Sequence, residues 1–302
     1  MRAGSDTFCW YDNAPMPRWS PIYAALREAG LSVADEKAPR AVGGGDISAA
    51  WRVDSDEGPV FVKTGPASAY EMFSAEAEGL AELAAPGAIR VPRVIACGVE
   101  AEAAYLALEW LAFDRPTRAT ETRFGEQLAE LHRTTRERYG WHRDNTIGLT
   151  PQHNDACDDW VEFFREQRLG FQLRLAADNG FTGSLQEDGA RLMKRMGVFF
   201  ADYAPDASLL HGDLWGGNWA SCDGEPVIFD PAVYYGDRET DLAMTRLFGG
   251  FGAGFYEAYE SNAPLAAGHR ARCDLYQLYH VLNHLNLFGS GYLGRAQALI
   301  RS

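Results

Sequence analysis

Residues 211–219 read HGDLWGGNW: a histidine, an aspartate, an asparagine, glycines and two tryptophans in nine positions. A loop that only joins two elements needs none of these. Around it, LLHGDLWGGNWA, a DG turn at Asp223–Gly224 and PVIFDP read as a short hairpin with a loop at each end, between Leu209 and Pro231. A two-stranded hairpin returns on itself, so residues flanking its open end come together. Asp213 and Asn218 precede the first strand and Asp230 follows the second. Two carboxylates and an amide oxygen are hard ligands, of the kind Mg²⁺ takes when it also holds phosphates. Singly, Asp213 and Asn218 could cap turns and Asp230 could start a helix ahead of Pro231. All three on one loop–hairpin–loop point to chemistry.

Outward from the hairpin the chain changes character. Up to about Gly65 it is rich in glycine and β-formers: AVGGGDISAAWRV reads as strand, glycine turn, strand, and GPVFVKTGP as a third strand. Met72, Phe73, Leu80 and Leu83 fall on one face of a helix over Ser68–Ala84, which Pro86 and Gly87 stop. VPRVIACGVE and AAYLALEWL give two more strands. After Phe113, helical periods run over 122–138, 157–177, 186–203, 240–260 and 270–288. The expected fold is α+β and two-lobed: a small β-rich lobe with one helix (1–111) and a larger, mainly helical lobe carrying the hairpin (112–302), joined near Trp110–Asp114.

The small lobe holds its own constellation. Alternation puts Lys63 on the same strand face as Phe61, so an inward ammonium needs a partner. Glu76 is four residues after Met72 and four before Leu80, on the apolar helix face, where a carboxylate needs a cation. A solvated edge lysine and a rim glutamate are the plain alternatives. A strand lysine paired with a helix glutamate is the phosphate clamp of kinases, and an aspartate followed five residues later by an asparagine, then by a further aspartate, is their base and metal set. Here the loop is HGDxxxxN and FDP stands where DFG would. The glycines Gly43, Gly44 and Gly45 with Ser48, in GGGDIS, could cover phosphates with backbone N–H groups, or be a loose hairpin. Glu109 and Leu111 flank a hinge whose backbone could meet adenine. His211 is expected to orient its loop through backbone hydrogen bonds. Trp215 is either a core plug or a platform for a substrate ring.

A formal charge of −14 over 302 residues argues against nucleic acid or anionic lipid as partners. Five scattered cysteines give neither a disulfide framework nor a zinc pattern. No signal peptide or membrane-spanning run is legible, so a soluble, cytoplasmic protein is expected; its expected assembly state is a monomer.

These residues resemble the fructosamine kinase family, within the aminoglycoside-phosphotransferase-like kinases. HGDLWGGN is close to that family's HGDLWxGN, and FDPAVYYGDRETDLAM resembles its second signature. The likeness continues through GGGDIS, VFVK, MFSAE, LHRTTRERYGWHRDNTIGLTPQ and LYHVLNHLNLFGSGY, from about Ala41 onward, and is poor before about Ser20. It implies a protein-kinase-like fold and ATP- and Mg²⁺-dependent phosphorylation of the 3-hydroxyl of ketosamines, fructosamines or ribulosamines, whose decay then frees the amine. By position, Asp213 is the base, Asn218 and Asp230 hold Mg²⁺, Lys63 holds ATP phosphates, Glu76 positions Lys63, Trp215 carries the sugar, Asp241 braces the loop and His284 lines the acceptor site. Many members carry cysteine where this chain has Asp46, so thiol-based control is not expected. The same fold acting on an aminoglycoside or a choline-like alcohol, and an inactive nucleotide-binding scaffold, are the alternatives.

Overall fold

The computed structural model describes residues 18–34, 38–43, 48–100 and 102–302. The chain divides into two compact units, one of Met1–Ala81 with Pro92–Leu111, the other of Glu82–Val91 with Ala112–Ser302.

The first unit is built on a five-stranded antiparallel sheet. Its strands are β1 (Arg40–Val42), β2 (Ala49–Ser55), β3 (Gly58–Pro66), β4 (Val94–Glu100) and β5 (Ala103–Glu109), in the order β1-β2-β3-β5-β4. β3 is central, so its side chains are sorted strictly by strand alternation. Val60 and Val62 join a buried cluster with Ile22, Tyr23 and Leu26. Those three come from helix α1 (Trp19–Glu28), which the sequence reading did not assign, so the described part of this unit holds more than the one expected helix. Lys63, on the opposite face of β3, meets helix α2 (Tyr70–Ala84) instead. A 3₁₀ turn over Ala67–Ala69 leads into α2.

In the second unit, helix α3 (Arg118–Leu131) opens with a capping box in which Thr117 and Thr120 exchange side-chain and backbone hydrogen bonds. It ends earlier than its period suggests, because Thr135–Arg136 forms strand β6. Next come the hairpin β7 (Asn145–Ile147) and β8 (Thr150–Gln152), then helix α4 (Trp160–Phe163). The expected helix over 157–177 is interrupted by a π-helical stretch, Phe164–Gly170, before α5 (Phe171–Asp178). The π turn brings Arg168 inside, fully buried, with its guanidinium over the rings of Phe163, Tyr234 and Tyr279. Helix α6 (Ser184–Arg195) passes into a 3₁₀ turn over Met196–Phe200.

Strand β9 (Ala207–Leu210) pairs with β6 on one side and with β12 (Tyr234–Gly236) on the other. Between β9 and β12 lies the expected hairpin, β10 (Trp219–Cys222) and β11 (Glu225–Ile228). Asp223 (φ 57°) and Gly224 (φ 77°) supply the two positive φ values of a type I′ turn. The single helix expected over 240–260 is two helices, α7 (Glu239–Leu247) and α8 (Ala253–Asn262), because Gly249 (φ +76°) and Gly250 (φ +99°) turn the chain between them. Helix α9 (His269–Phe288) runs through the core of this unit, and α10 (Leu293–Arg301), unassigned from sequence, packs against it. α3 and α8 lie so close that a Cβ on Gly125 would stand 2.2 Å from the Phe255 carbonyl oxygen.

Candidate active site

The site residues of the second unit are held by the turn that follows β9. His211 is fully buried, and its ring bridges the two sides of that turn. Nδ1 accepts the Asp213 backbone N–H at 3.2 Å, and Nε2–H donates to the Phe229 carbonyl at 2.9 Å. Burial lowers the imidazole pKa, against the pull of Asp241, so the neutral tautomer fits both bonds. Gly212 has φ +83°, and a Cβ there would lie 2.0 Å from the Ala232 carbonyl oxygen. No side chain can occupy this position without moving β12's approach.

Asp241, in the first turn of α7, grips the same turn from below. Its carboxylate accepts the backbone N–H groups of His211 (2.8 Å) and Gly212 (2.9 Å). His132 Nε2 lies 3.2 Å from Asp241 Oδ2, while its Nδ1 lies 2.8 Å from Tyr259 Oη. Burial alone would raise the Asp241 carboxyl, but the His132 bond and the neighbouring imidazoles and N–H groups leave it below the usual carboxylate range. His132 was legible only as part of LHRTTRER and carried no role from sequence.

Asp213 is half-buried at the tip of the turn. Asn218 donates through Nδ2 to the Asp213 carbonyl (2.9 Å) and to Asp213 Oδ2 (3.3 Å), and reaches the Asp230 carbonyl at 3.4 Å. The three residues therefore meet. Burial, with the charges of Asp230 and Asp241, pushes the Asp213 carboxyl up to about 7, against the Asn218 bond. Asp230 starts no helix. It is exposed, with φ 57° ahead of Pro231, a backbone conformation that costs on the order of 1–3 kcal/mol and gathers at functional sites.

Residues 18–302 match the sequence profile of the fructosamine kinase family. The chain belongs to that family. A probable ketoamine kinase of Synechocystis is 45% identical over 291 residues, covering 96% of this chain and 97% of that protein. A chloroplastic protein-ribulosamine 3-kinase of Arabidopsis thaliana is 43% identical over 263 residues, covering 86% of this chain and 80% of that protein. A crystal structure of a fructosamine-3-kinase candidate from Haemophilus somnus superposes with a TM-score of 0.85 at 31% identity, covering 94% of this chain and 96% of that one. The fold is thus the kinase-like α+β fold that the sequence implied.

In this fructosamine kinase family member the first unit holds the second constellation. Lys63 Nζ lies 2.7 Å from Glu76 Oε1, with side-chain exposures of 10% and 12%. Gly43 follows β1, with no described residue close to where its Cβ would stand, and Ser48 precedes β2, whereas Gly44, Gly45 and Asp46 lie outside the described residues. The Glu109 N–H, at the end of β5, donates to the Arg93 carbonyl at 2.8 Å, and Leu111 lies two residues beyond that strand.

Trp215 is not a core plug. Its indole is 38% exposed and stands edge-on to Phe248, centroids 6.2 Å apart. Phe248 in turn lies 4.8 Å from the ring of His284, so two residues singled out from sequence flank a third that was not. His284 Nδ1–H donates to the His280 carbonyl one turn earlier (2.8 Å), which leaves Nε2 as the acceptor. Burial and the Arg295 charge hold this imidazole below its ordinary value.

Proposed function

We propose that this chain transfers the γ-phosphoryl group of ATP to the 3-hydroxyl of a ketosamine, with Asp213 as the general base. Membership of the fructosamine kinase family makes it an ATP-dependent kinase with a ketosamine hydroxyl as acceptor. The observation that carries the assignment of the base is the geometry at Asp213: a half-buried carboxyl at the tip of the turn, braced through its backbone by His211 and Asn218, with Asn218 also reaching the Asp230 carbonyl beside it.

In the reaction the acceptor oxygen forms a bond to the γ-phosphorus as the bond from that phosphorus to the β–γ bridging oxygen breaks. The hydroxyl proton passes to Asp213, and ADP and the ketosamine 3-phosphate result. Mg²⁺, when bound, neutralises charge on the transferring phosphates. The donor set fits it. Asn218 turns Nδ2 toward Asp213, which leaves Oδ1 as a hard oxygen donor, and the exposed Asp230 carboxylate is a second, so phosphate oxygens would complete the shell. Lys63 would neutralise ATP phosphates, positioned by Glu76. Backbone groups of Gly43, Gly44, Gly45 and Ser48 would cover them, and those of Glu109 and Leu111 would meet the adenine. Trp215 offers its exposed indole face to the sugar, and His284 Nε2 accepts from a hydroxyl or amine. All proposed groups come from one chain, so the reading is of an enzyme active as a monomer. Among the described residues no disulfide joins Cys97, Cys157, Cys222 and Cys273, which suits a reducing, cytoplasmic setting. Among the described residues no helix is long and apolar enough to cross a membrane.

The test is ATP turnover with a fructosamine or ribulosamine in Mg²⁺, beside Asp213→Asn. The variant is expected to lose about 10²–10⁴-fold in kcat with ATP affinity retained. Turnover close to that of the unchanged enzyme would remove Asp213 from the role of base.

A further inference from the structure

Among the described residues, eight large hydrophobic side chains stand exposed, and three of them, Trp215, Phe248 and Phe288, belong to one chain of ring contacts. Scattered exposed hydrophobics need no explanation, but a contiguous set does. From Trp215 the contacts run to Phe248 (6.2 Å), to His284 (4.8 Å), then to Phe288 (5.4 Å) and Tyr292 (5.2 Å). His284 and Phe288 are four apart on α9 and so share a face. Gly289 (φ +88°) ends the helix and a 3₁₀ turn over Ser290–Tyr292 brings Tyr292 back beside them. Phe288 is 56% exposed, far more than packing of the unit requires.

The loop that carries Phe248 is fixed against the turn that carries Trp215. A Cβ on Gly216 would lie 3.1 Å from the Gly249 carbonyl oxygen and 3.4 Å from the Gly250 Cα, and one on Gly250 would lie 3.1 Å from the Gly216 Cα. Two backbones in such contact place Phe248 and Trp215 together without help from either side chain.

A ketosamine has two chemically distinct ends, a polyhydroxylated sugar and whatever the amine nitrogen carries. We infer that Phe248, Phe288 and Tyr292, with His284 Nε2 as the polar anchor, form a subsite for the substituent on the amine nitrogen and set a preference for apolar and aromatic substituents. This inference rests on the ketosamine kinase reading. Trp215 takes the sugar, and the wall continuous with it takes the rest. The anchor accepts from an N–H of the amine, which lies at the junction between the ends. Apolar contact of this kind discriminates by about 10–200-fold.

The experiment compares two probes with the same sugar and the same carboxylate, the fructose adducts of glycine and of phenylalanine. The unchanged enzyme is expected to favour the phenylalanine adduct. Phe288→Ala should lower its kcat/KM about ten- to a hundred-fold, through KM, and leave the glycine adduct within about two-fold. Phe288→Trp should restore the preference. Equal losses on both probes, a loss confined to kcat, or no loss would overturn the inference while leaving the kinase reading standing. So would a Phe288→Ala variant that keeps its selectivity but changes its sedimentation, which would assign the wall to contact between copies. Failure of the unchanged enzyme to turn over either adduct, or a ribulosamine, would remove the kinase reading and the inference with it.

Discussion

The indole of Trp215 lies over Gly217: a Cβ at residue 217 would come within 2.3 Å of its Cζ2 and 2.4 Å of its Cη2. The glycine is there because the ring is. Gly217→Ala is expected to push the indole from its place while sparing the fold, since residue 217 is exposed and its φ is not in the left-handed range. Tryptophan fluorescence should shift, and KM for the ketosamine should rise about ten-fold with KM for ATP unchanged. An unaltered acceptor KM would mean that Trp215 does not touch substrate.

Asp241 accepts two backbone N–H groups, so Asp241→Asn sets an amide NH₂ against one of them. A buried donor left without its acceptor costs about 1–3 kcal/mol. We expect a lower urea midpoint and a fall in kcat, with ATP binding by calorimetry nearly unchanged. A variant with full kcat would show that the turn holds its shape without the brace. The ionised form of Asp241 also sets a direction with pH. Its folded carboxyl lies below the unfolded one, so its contribution is present above the unfolded value and is lost as pH falls through the folded value.

Lys63 and Glu76 are almost fully withdrawn from water, and taking one partner from such a buried pair costs about 3–5 kcal/mol. Lys63→Met should lower stability and raise KM for ATP. Glu76→Gln should be milder on stability, because an amide oxygen still accepts from Nζ. A double-mutant cycle on the denaturant midpoints should return a coupling well above that of a surface pair, which is typically about 0.2–1 kcal/mol. A coupling within that range would mean the two groups are not energetically paired.

His280 is buried on α9 and neither ring nitrogen has a hydrogen-bond partner among the described residues. Burial, with the His284 and Arg168 charges and against Asp241, lowers its pKa to about 3. The unfolded chain takes up this proton near pH 6.5 and the folded chain only near 3, so stability falls as pH drops through that window. His280→Phe removes the titration. Its urea midpoint is expected to equal or exceed that of the unchanged protein at pH 7, and to decline less between pH 6.5 and 4. Parallel pH curves for the two proteins would refute the assignment.

Much of this was legible in the sequence where a period or a turn residue is decisive. β2 to β5 stand out because alternation and glycine punctuation agree, and Asp223–Gly224 marks its hairpin because few other pairs accept two positive φ values. The Lys63–Glu76 pair could be read because a carboxylate on an apolar helix stripe asks for a cation. α1 was hidden: ten residues with an arginine at the N-cap and no side-chain capping bond give little signal. β6, β9 and β12 are two to four residues long, too short for any period, and only their pairing makes them strands. Phe248 and Phe288 read as ordinary helix-face apolar residues, because sequence cannot tell a ring aimed at solvent from one aimed inward. The Gly249–Gly250 pair was the clue to the break between α7 and α8, outweighed by the helical period on either side.

The contact between Gly216 and Gly250 also bears on how this site could change over evolutionary time. Two segments from distant parts of the chain meet at a seam where an added Cβ would stand 3.1 Å from the facing backbone, so drift in the seam disturbs both at once. Position 248 is one residue outside it. Selection for a new acceptor can therefore rework the ring there while leaving the geometry of phosphoryl transfer untouched.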